Sequence, residues 1–387
     1  MISFFFFVLT ILCLPGLPDG AETPRWCYLS LFLPLMVIGR SVTLNWTAWM
    51  LIAYLSVMAG LGPLWTEALY LYWHLLLAIV AFFLFRDNVR EMVIGVSGGL
   101  AVNSAVVIAQ TYGWQGIPQL ANYSGLFYNR NLAGEAAGMM LVMLIGYRLW
   151  WMIPGILPTF ALGNRSPWLA VGVCGVAYLW TRSRILGALT LLALPAALYI
   201  GSMPIWVHAH ILDSVWERWG TWSDTIEGFT FFGRGLGSFI ATFPLFQHHT
   251  QALFLRFEEA HNDPLQIIYE FGIGGVILIG LVIWQMEKSF SANRIPAWYG
   301  LLAFCIEGLF GFPLIKPVTS IVAAACAGAV FGRRDFVRDL FLFVRLELRP
   351  GLAYWRIKLF PARVKPVSVV SLASDGSGLL GGGPQPG

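Results

Sequence analysis

Charge is what this chain has least of. Only 11% of its 387 residues are Asp, Glu, Lys or Arg, where a soluble domain carries about 25%. That scarcity excludes an ordinary polar-surfaced domain. The 58% hydrophobic content and mean hydropathy of +0.71 point to a multi-span membrane protein. Cysteine is also sparse: Cys13, Cys27, Cys174, Cys305 and Cys326 form no CxxC pair, and most sit in apolar runs. They read as small buried hydrophobes, and neither a disulfide nor a zinc site is expected. The opening MISFFFFVLTILCLPGLPDG lacks a basic n-region and an A-x-A cleavage site, so it reads as a short first span and not as a removed signal.

What is present is a succession of apolar runs close to the roughly 20 residues that a spanning helix needs. They lie near 1–15, 25–40, 43–62, 66–85, 92–111, 132–152, 166–181, 185–203, 264–286, 297–313 and 315–331. The pattern predicts an all-α fold, a polytopic membrane helix bundle of ten or eleven spans over residues 1–331, with one long external loop at 208–263. That loop holds Arg218, Arg234 and Arg256 against Asp213, Glu217, Asp224, Glu227, Glu258, Glu259 and Asp263. Residues 332–365 mix basic and aromatic side chains as a surface-lying amphipathic helix does, and 366–387 have the composition of a disordered tail. The basic tail, with Arg86, Arg90, Lys288 and Arg294, reads as cytoplasmic, which places the long loop and the segment from Gln110 to Asn131 outside. Between 132 and 208 the parity does not close, and the side of Arg182 and Arg184 stays open.

Polar residues interrupt the apolar pattern at a few places. In EEAHNDPLQIIYEFGIGG, Glu258 to Gly275, Pro264 suits a helix first turn with Asn262 or Asp263 as its cap. His261 would then precede a helix N-terminus, whose positive end attracts anions and favours a neutral imidazole able to accept a proton. Asn262, Gln266 and Tyr269 or Glu270 share one helical face, expected to line a cavity. Gly272, Gly274 and Gly275 would allow a second helix to approach. Arg218 lies among Trp216, Trp219 and Trp222, a setting for a phosphate clamp or for an interfacial belt. Asn129, Arg130, Asn131 and Glu135 stand where another helix begins, with Asn131 as a possible cap. GRGLGS reads as a tight glycine loop, since no strand precedes it.

The ordered motifs GLFYNRNLAGE, TRSRILGAL, ERWGTWSDTIEGFTFFGRGLGSF and HNDPLQIIYEFGIGG resemble the O-antigen ligase and O-antigen polymerase superfamily over about residues 120–280. The family signature is His, then Asn, Ser or Gln, nine residues, then Gly-x-x-Gly. It is matched by His261, Asn262 and Gly272 to Gly275. Ser183, Arg184 and Gly187 resemble the family's Ser-Arg-Gly turn with two extra residues before the glycine, and Gly233 to Gly237 its glycine loop. Arg130 stands where the family's asparagine-rich turn has proline.

The resemblance implies a glycosyltransferase of the GT-C class of membrane proteins in a bacterial inner membrane, metal-independent and inverting. Its donor would be a glycan on a polyprenyl diphosphate, and its acceptor a glycan or lipid A-core hydroxyl. Membrane lipids are implied as surroundings; no cofactor, metal or nucleic acid is. His261 would serve as base, Arg218 and Arg184 as diphosphate clamps, and Asn262, Arg256, Asn129, Arg130, Asn131 and Gln266 as substrate contacts, with Arg234 or Arg256 able to replace Arg184. The alternatives are a transporter and a non-catalytic relative. A transporter would use Glu307 and Lys316; otherwise Glu307 is expected to pair internally and Lys316 to sit near the outer end of its helix. The HNDPLQ helix has no second copy in the chain, which counts against a transporter built from repeats.

Overall fold

Helix dominates because the apolar runs leave the backbone no other way to satisfy its own polar groups. A computed structural model describes residues 1–15, 17, 19–38, 44–117, 123–161, 165–201, 210–248, 257–289 and 296–332, with side chains described except at 193–201 and 210–217. The helices are α1 Ile2–Ile11, α2 Glu22–Ile38, α3 Trp46–Leu61, α4 Trp65–Phe85, α5 Val89–Thr111, α6 Arg130–Gly146, α7 Ile153–Ala161 and α8 Ser166–Arg182. They continue as α9 Arg184–Gly201, α10 His210–Glu227, α11 Phe239–Thr242, α12 Asp263–Phe271, α13 Ile273–Lys288, α14 Pro296–Gly308 and α15 Pro317–Phe331. Among the described residues there is no strand. The all-α expectation therefore holds, and the expected tail at 332–365 and 366–387 falls outside the described residues from 333 onward.

The expected span count does not carry over directly. Two helices, Trp65–Phe85 and Val89–Thr111, are long and apolar enough to cross a membrane; Ile2–Ile11, Trp46–Leu61 and Pro317–Phe331 are apolar but shorter. The first run, expected over 1–15, is helical for 10 residues only, and the chain turns extended at Leu12. The run expected over 264–286 is broken. Gly272 takes φ 59°, ψ −136°, a region that only glycine occupies without strain, and it splits the run into α12 and α13. The break has a packing cause: Gly272 lies backbone to backbone against Gly233, leaving no room for a side chain at either.

Packing is close where side chains are small. A Cβ on Gly95 of α5 would meet the Ser3 carbonyl, and one on Gly99 would meet the Thr10 side chain, so α1 lies directly on α5, as small residues permit between apolar helices. Phe6, Leu9, Leu33, Phe85, Met92, Met140, Met143 and Cys326 form part of one buried cluster drawn from α1, α2, α4, α5, α6 and α15. Arg25 is fully buried in α2. Its Nε donates to the Leu9 carbonyl at 3.1 Å, and its Nη2 to Thr10 and Leu126 carbonyls at 2.7 and 3.2 Å. The guanidinium lies 4.0 Å from the Phe127 ring centroid. It thus satisfies carbonyls that the end of α1 leaves without helical partners.

The short α7 is an element that the apolar runs do not announce. It rises beside α5, with Gly155 against Ala101 and Thr159 bonded to Asn103 and Ser104 at 2.9 and 2.8 Å. The chain therefore runs along α6, returns through α7, and descends again in α8. At the far end of α6, Gly146 meets Pro296 and Gly300 meets Met143. Cys174 of α8 approaches the Tyr299 carbonyl at 3.5 Å, and Thr181 bonds the Tyr299 side chain. The last residues of α8 thus lie beside the start of α14. The five cysteines are free, and Cys27 is exposed, not buried as expected.

Candidate functional site

Asn262 caps α12: its Oδ1 accepts from Leu265 N at 3.0 Å, and Pro264 occupies the first turn. The chain reaches this cap through His261 in the left-handed region, φ 52°, which costs a non-glycine residue on the order of 1–3 kcal/mol. Neighbours on both sides hold the backbone there. Ala260 N donates to Gln266 Oε1 at 3.1 Å, and Ala260 O accepts from Trp222 Nε1 at 3.1 Å. Asn262 Nδ2 donates to the Leu309 carbonyl at 3.1 Å, and Asp263 Oδ2 accepts from Leu314 N at 3.0 Å. Asn262 and Gln266 therefore help to seat the histidine, a structural role beside the substrate contact expected of them.

The imidazole has no hydrogen-bond partner among the described residues. Its ring lies 5.0 Å from the Phe312 ring, tilted by 58°. Burial first, then the charges of Arg218 and Lys316, hold its pKa down at about 4. The expected source of this effect is the helix terminus; here burial is the main cause and the two cations add to it. A neutral imidazole with a free nitrogen can accept a proton from a hydroxyl brought to it.

Arg218 in α10 is half-buried; burial lowers its pKa, with Glu135 opposing and Arg165 adding to the shift. Lys316 is the second cation whose charge reaches His261. Its Nζ lies 3.0 Å from Glu22 and 3.9 Å from Glu259, and 4.4 Å from the Phe312 ring centroid. One aromatic ring thus touches both the ammonium and the imidazole. Burial pushes the Glu259 carboxyl up to about 7, opposed by Lys316 and assisted by Glu258, Glu22 and Glu67.

The remaining expected residues lie elsewhere or do other work. Asn129, not Asn131, caps α6, accepting from Asn131 N at 2.9 Å, and Arg130 is exposed in the first turn. Arg234 donates to the Gly228 carbonyl at 2.7 Å and lies over the Phe246 and Tyr269 rings, which makes it a loop pin and not a spare clamp. Glu270 braces the glycine loop: its carboxylate accepts from Gly237 N at 3.2 Å and its carbonyl from Gly235 N at 3.0 Å. Neither it nor Tyr269, bonded to Thr242 at 2.7 Å, is spare for substrate. Arg256 lies outside the described residues.

Arg184 is not brought to His261. Arg165 precedes α8 and its charge reaches Arg218, whereas Arg184 follows the other end. Seventeen helical residues rise about 25 Å between them. Lys316, Glu22 and Glu259 were missed as site residues. A lysine between Pro313 and Pro317 in an otherwise apolar stretch was the signal available. No protein-family model matches the chain, and no curated protein matches it.

Proposed function

We propose that this chain is a glycosyltransferase resembling the O-antigen ligases and polymerases, moving a glycan from a polyprenyl diphosphate to a sugar hydroxyl. His261 accepts the hydroxyl proton. Arg218 meets the charge that grows on the leaving diphosphate. A single displacement inverts the anomeric centre and needs one base. The observation that carries this reading is the imidazole itself, kept neutral beside two cations on a backbone tied at both neighbours. The setting we propose is a bacterial inner membrane crossed by ten or eleven spans, with the 208–263 loop periplasmic and the C-terminus cytoplasmic. The shorter apolar helices would share the bilayer with α4 and α5. The acceptor, a second lipid-linked glycan or a lipid A core, distinguishes polymerase from ligase.

The test is direct. Purified full-length protein is incubated with lipid-diphosphate glycan and each acceptor in turn, and the new linkage is read by NMR. Transfer with inversion, lost in His261→Ala, is expected. Undiminished transfer by a folded His261→Ala protein would remove the base assignment.

One feature favours ion-coupled transport as a second reading. Glu307 in α14 is fully buried, and neither carboxyl oxygen has a hydrogen-bond partner among the described residues, so the expected internal pairing is not found there as a hydrogen bond. Intramembrane acids often mark ion paths. Proton flux in proteoliposomes that disappears in Glu307→Gln would support this reading over glycan transfer.

A further inference from the structure

Lys316 and Glu259 have no role in the transfer step described above, yet they flank its base. Lys316 sits at the start of α15, reached through the turn Phe312–Ile315, and its ammonium is held from two directions. Glu22, at the first turn of α2, is the nearer carboxylate at 3.0 Å. Glu259, two residues before His261, is the farther at 3.9 Å. The lysine side chain is 12% exposed and Glu259 17%, so the longer pair is open to competition from an incoming anion in a way a dry pair is not. Phe312 places the ammonium and the imidazole against one ring.

We propose that Lys316 is the second cation of the anion subsite, and that Glu259 is its resident counter-ion, displaced when a diphosphate binds. This rests on the glycosyl-transfer reading, which supplies the diphosphate. Glu22 keeps its short contact and fixes the lysine's position; Glu259 yields. The exchange replaces one carboxylate with a dianionic or trianionic group beside the same ammonium, and Arg218 approaches from α10. It also has a consequence for His261. An anion between Arg218 and Lys316 offsets the two charges that depress the imidazole, so donor binding makes the base stronger when it is needed.

The pH dependence follows from the groups in contact. Glu259 is faced by Lys316, by Glu258 on its own segment, by Glu22 of α2, by Glu67 of α4 and by the buried Asp263 of α12; His261 is faced by Arg218 and Lys316. Glu259 is ionised above about 7 and competes there. Below that pH it takes a proton and releases Lys316. Diphosphate binding by the native protein should therefore tighten as pH falls through 7, beyond any change due to the ligand's own titration.

The experiment measures farnesyl diphosphate binding to full-length protein in detergent by calorimetry, with farnesyl monophosphate as control. Glu259→Gln should bind about two- to fivefold more tightly than the native chain near pH 8, as expected for removing one partly exposed competing charge, and the advantage should vanish near pH 6. Lys316→Met should weaken binding while Lys316→Arg restores most of it; thermal melts establish that each variant is folded. If the native protein binds the diphosphate but Glu259→Gln matches it at both pH values, the counter-ion role is overturned and the transfer reading stands. If the native protein binds no diphosphate, the transfer reading and this inference fall together.

Discussion

Two helices in this molecule begin in nearly the same way. Before α6, Tyr128 takes φ 59° and Asn129 caps; before α12, His261 takes φ 52° and Asn262 caps. A left-handed residue followed by an asparagine cap is therefore a turning device that this chain uses twice. Backbone strain alone does not mark a site. The difference lies in what happens to the side chain. Tyr128 is 5% exposed and packs into a small cluster with Ala21, Ile117 and Leu126. His261 keeps its imidazole without a hydrogen bond among the described residues, against Phe312 and within reach of the charges of Arg218 and Lys316. At one start the strained residue is a plug, and at the other it is, on the proposed reading, a presented base.

Breaking the comparison at the base should have the largest effect. His261→Ala should lower transfer by about 10²- to 10⁴-fold, the usual contribution of a positioned general base, measured as product formed per folded protein. His261→Gly should be equally inactive yet melt higher, because glycine takes φ 52° without the penalty. A lower melting temperature for the glycine variant would mean that the imidazole holds the turn together, and that the contrast with Tyr128 is false.

The caps come next. Asn129→Ala and Asn262→Ala each remove a cap worth about 1 kcal/mol, and both should lower the melting temperature. Only Asn262→Ala should also slow transfer, because its amide further ties the segment after His261 to Leu309. Equal activity in the two variants would show that the His261 seat does not depend on the cap.

A smaller effect is expected in the pH profile. With His261 held near 4 in the free protein, the neutral base persists at neutral pH and kcat/KM falls only as pH drops through about 4. Removing a neighbouring cation raises a histidine's pKa toward about 6.5. Arg218→Gln should therefore move the acid limb of kcat/KM upward, in addition to any loss of donor affinity, while the limb of kcat, set with the diphosphate bound, moves less. An unmoved limb would separate the arginine from the imidazole.

His261 was legible because a His-Asn-Asp run before an apolar helix is costly unless it is used, and the cap and the first-turn proline follow from local rules. What surrounds it was not legible. Glu22 and Lys316 are 294 positions apart, and no local pattern announces such a pair. The break at Gly272 was hidden because a glycine-rich signature also suits helix-to-helix contact; only the approach of Gly233 decides between them. The helix α7 escaped because nine residues with an internal proline fall far short of a spanning length. Missing it left the parity of the following helices open, and with it the position of Arg184.

Arg184 therefore gives the smallest predicted effect, and it tests the geometry most sharply. The family-like Ser-Arg turn nominated it as a diphosphate clamp. Arg165 and Arg184 bracket the 17 residues of α8, and the Arg165 end is the one that senses Arg218. The other end lies with Thr181, Tyr299 and the start of α14. A guanidinium reaches only a fraction of the roughly 25 Å that such a helix spans. Arg184→Ala should thus leave farnesyl diphosphate affinity within about twofold, the range of a surface substitution worth less than 0.5 kcal/mol, while Arg218→Ala weakens it. If instead Arg184→Ala costs as much as Arg218→Ala, α8 must run the other way relative to the site, and the path from α6 through α7 into α8 would have to be redrawn.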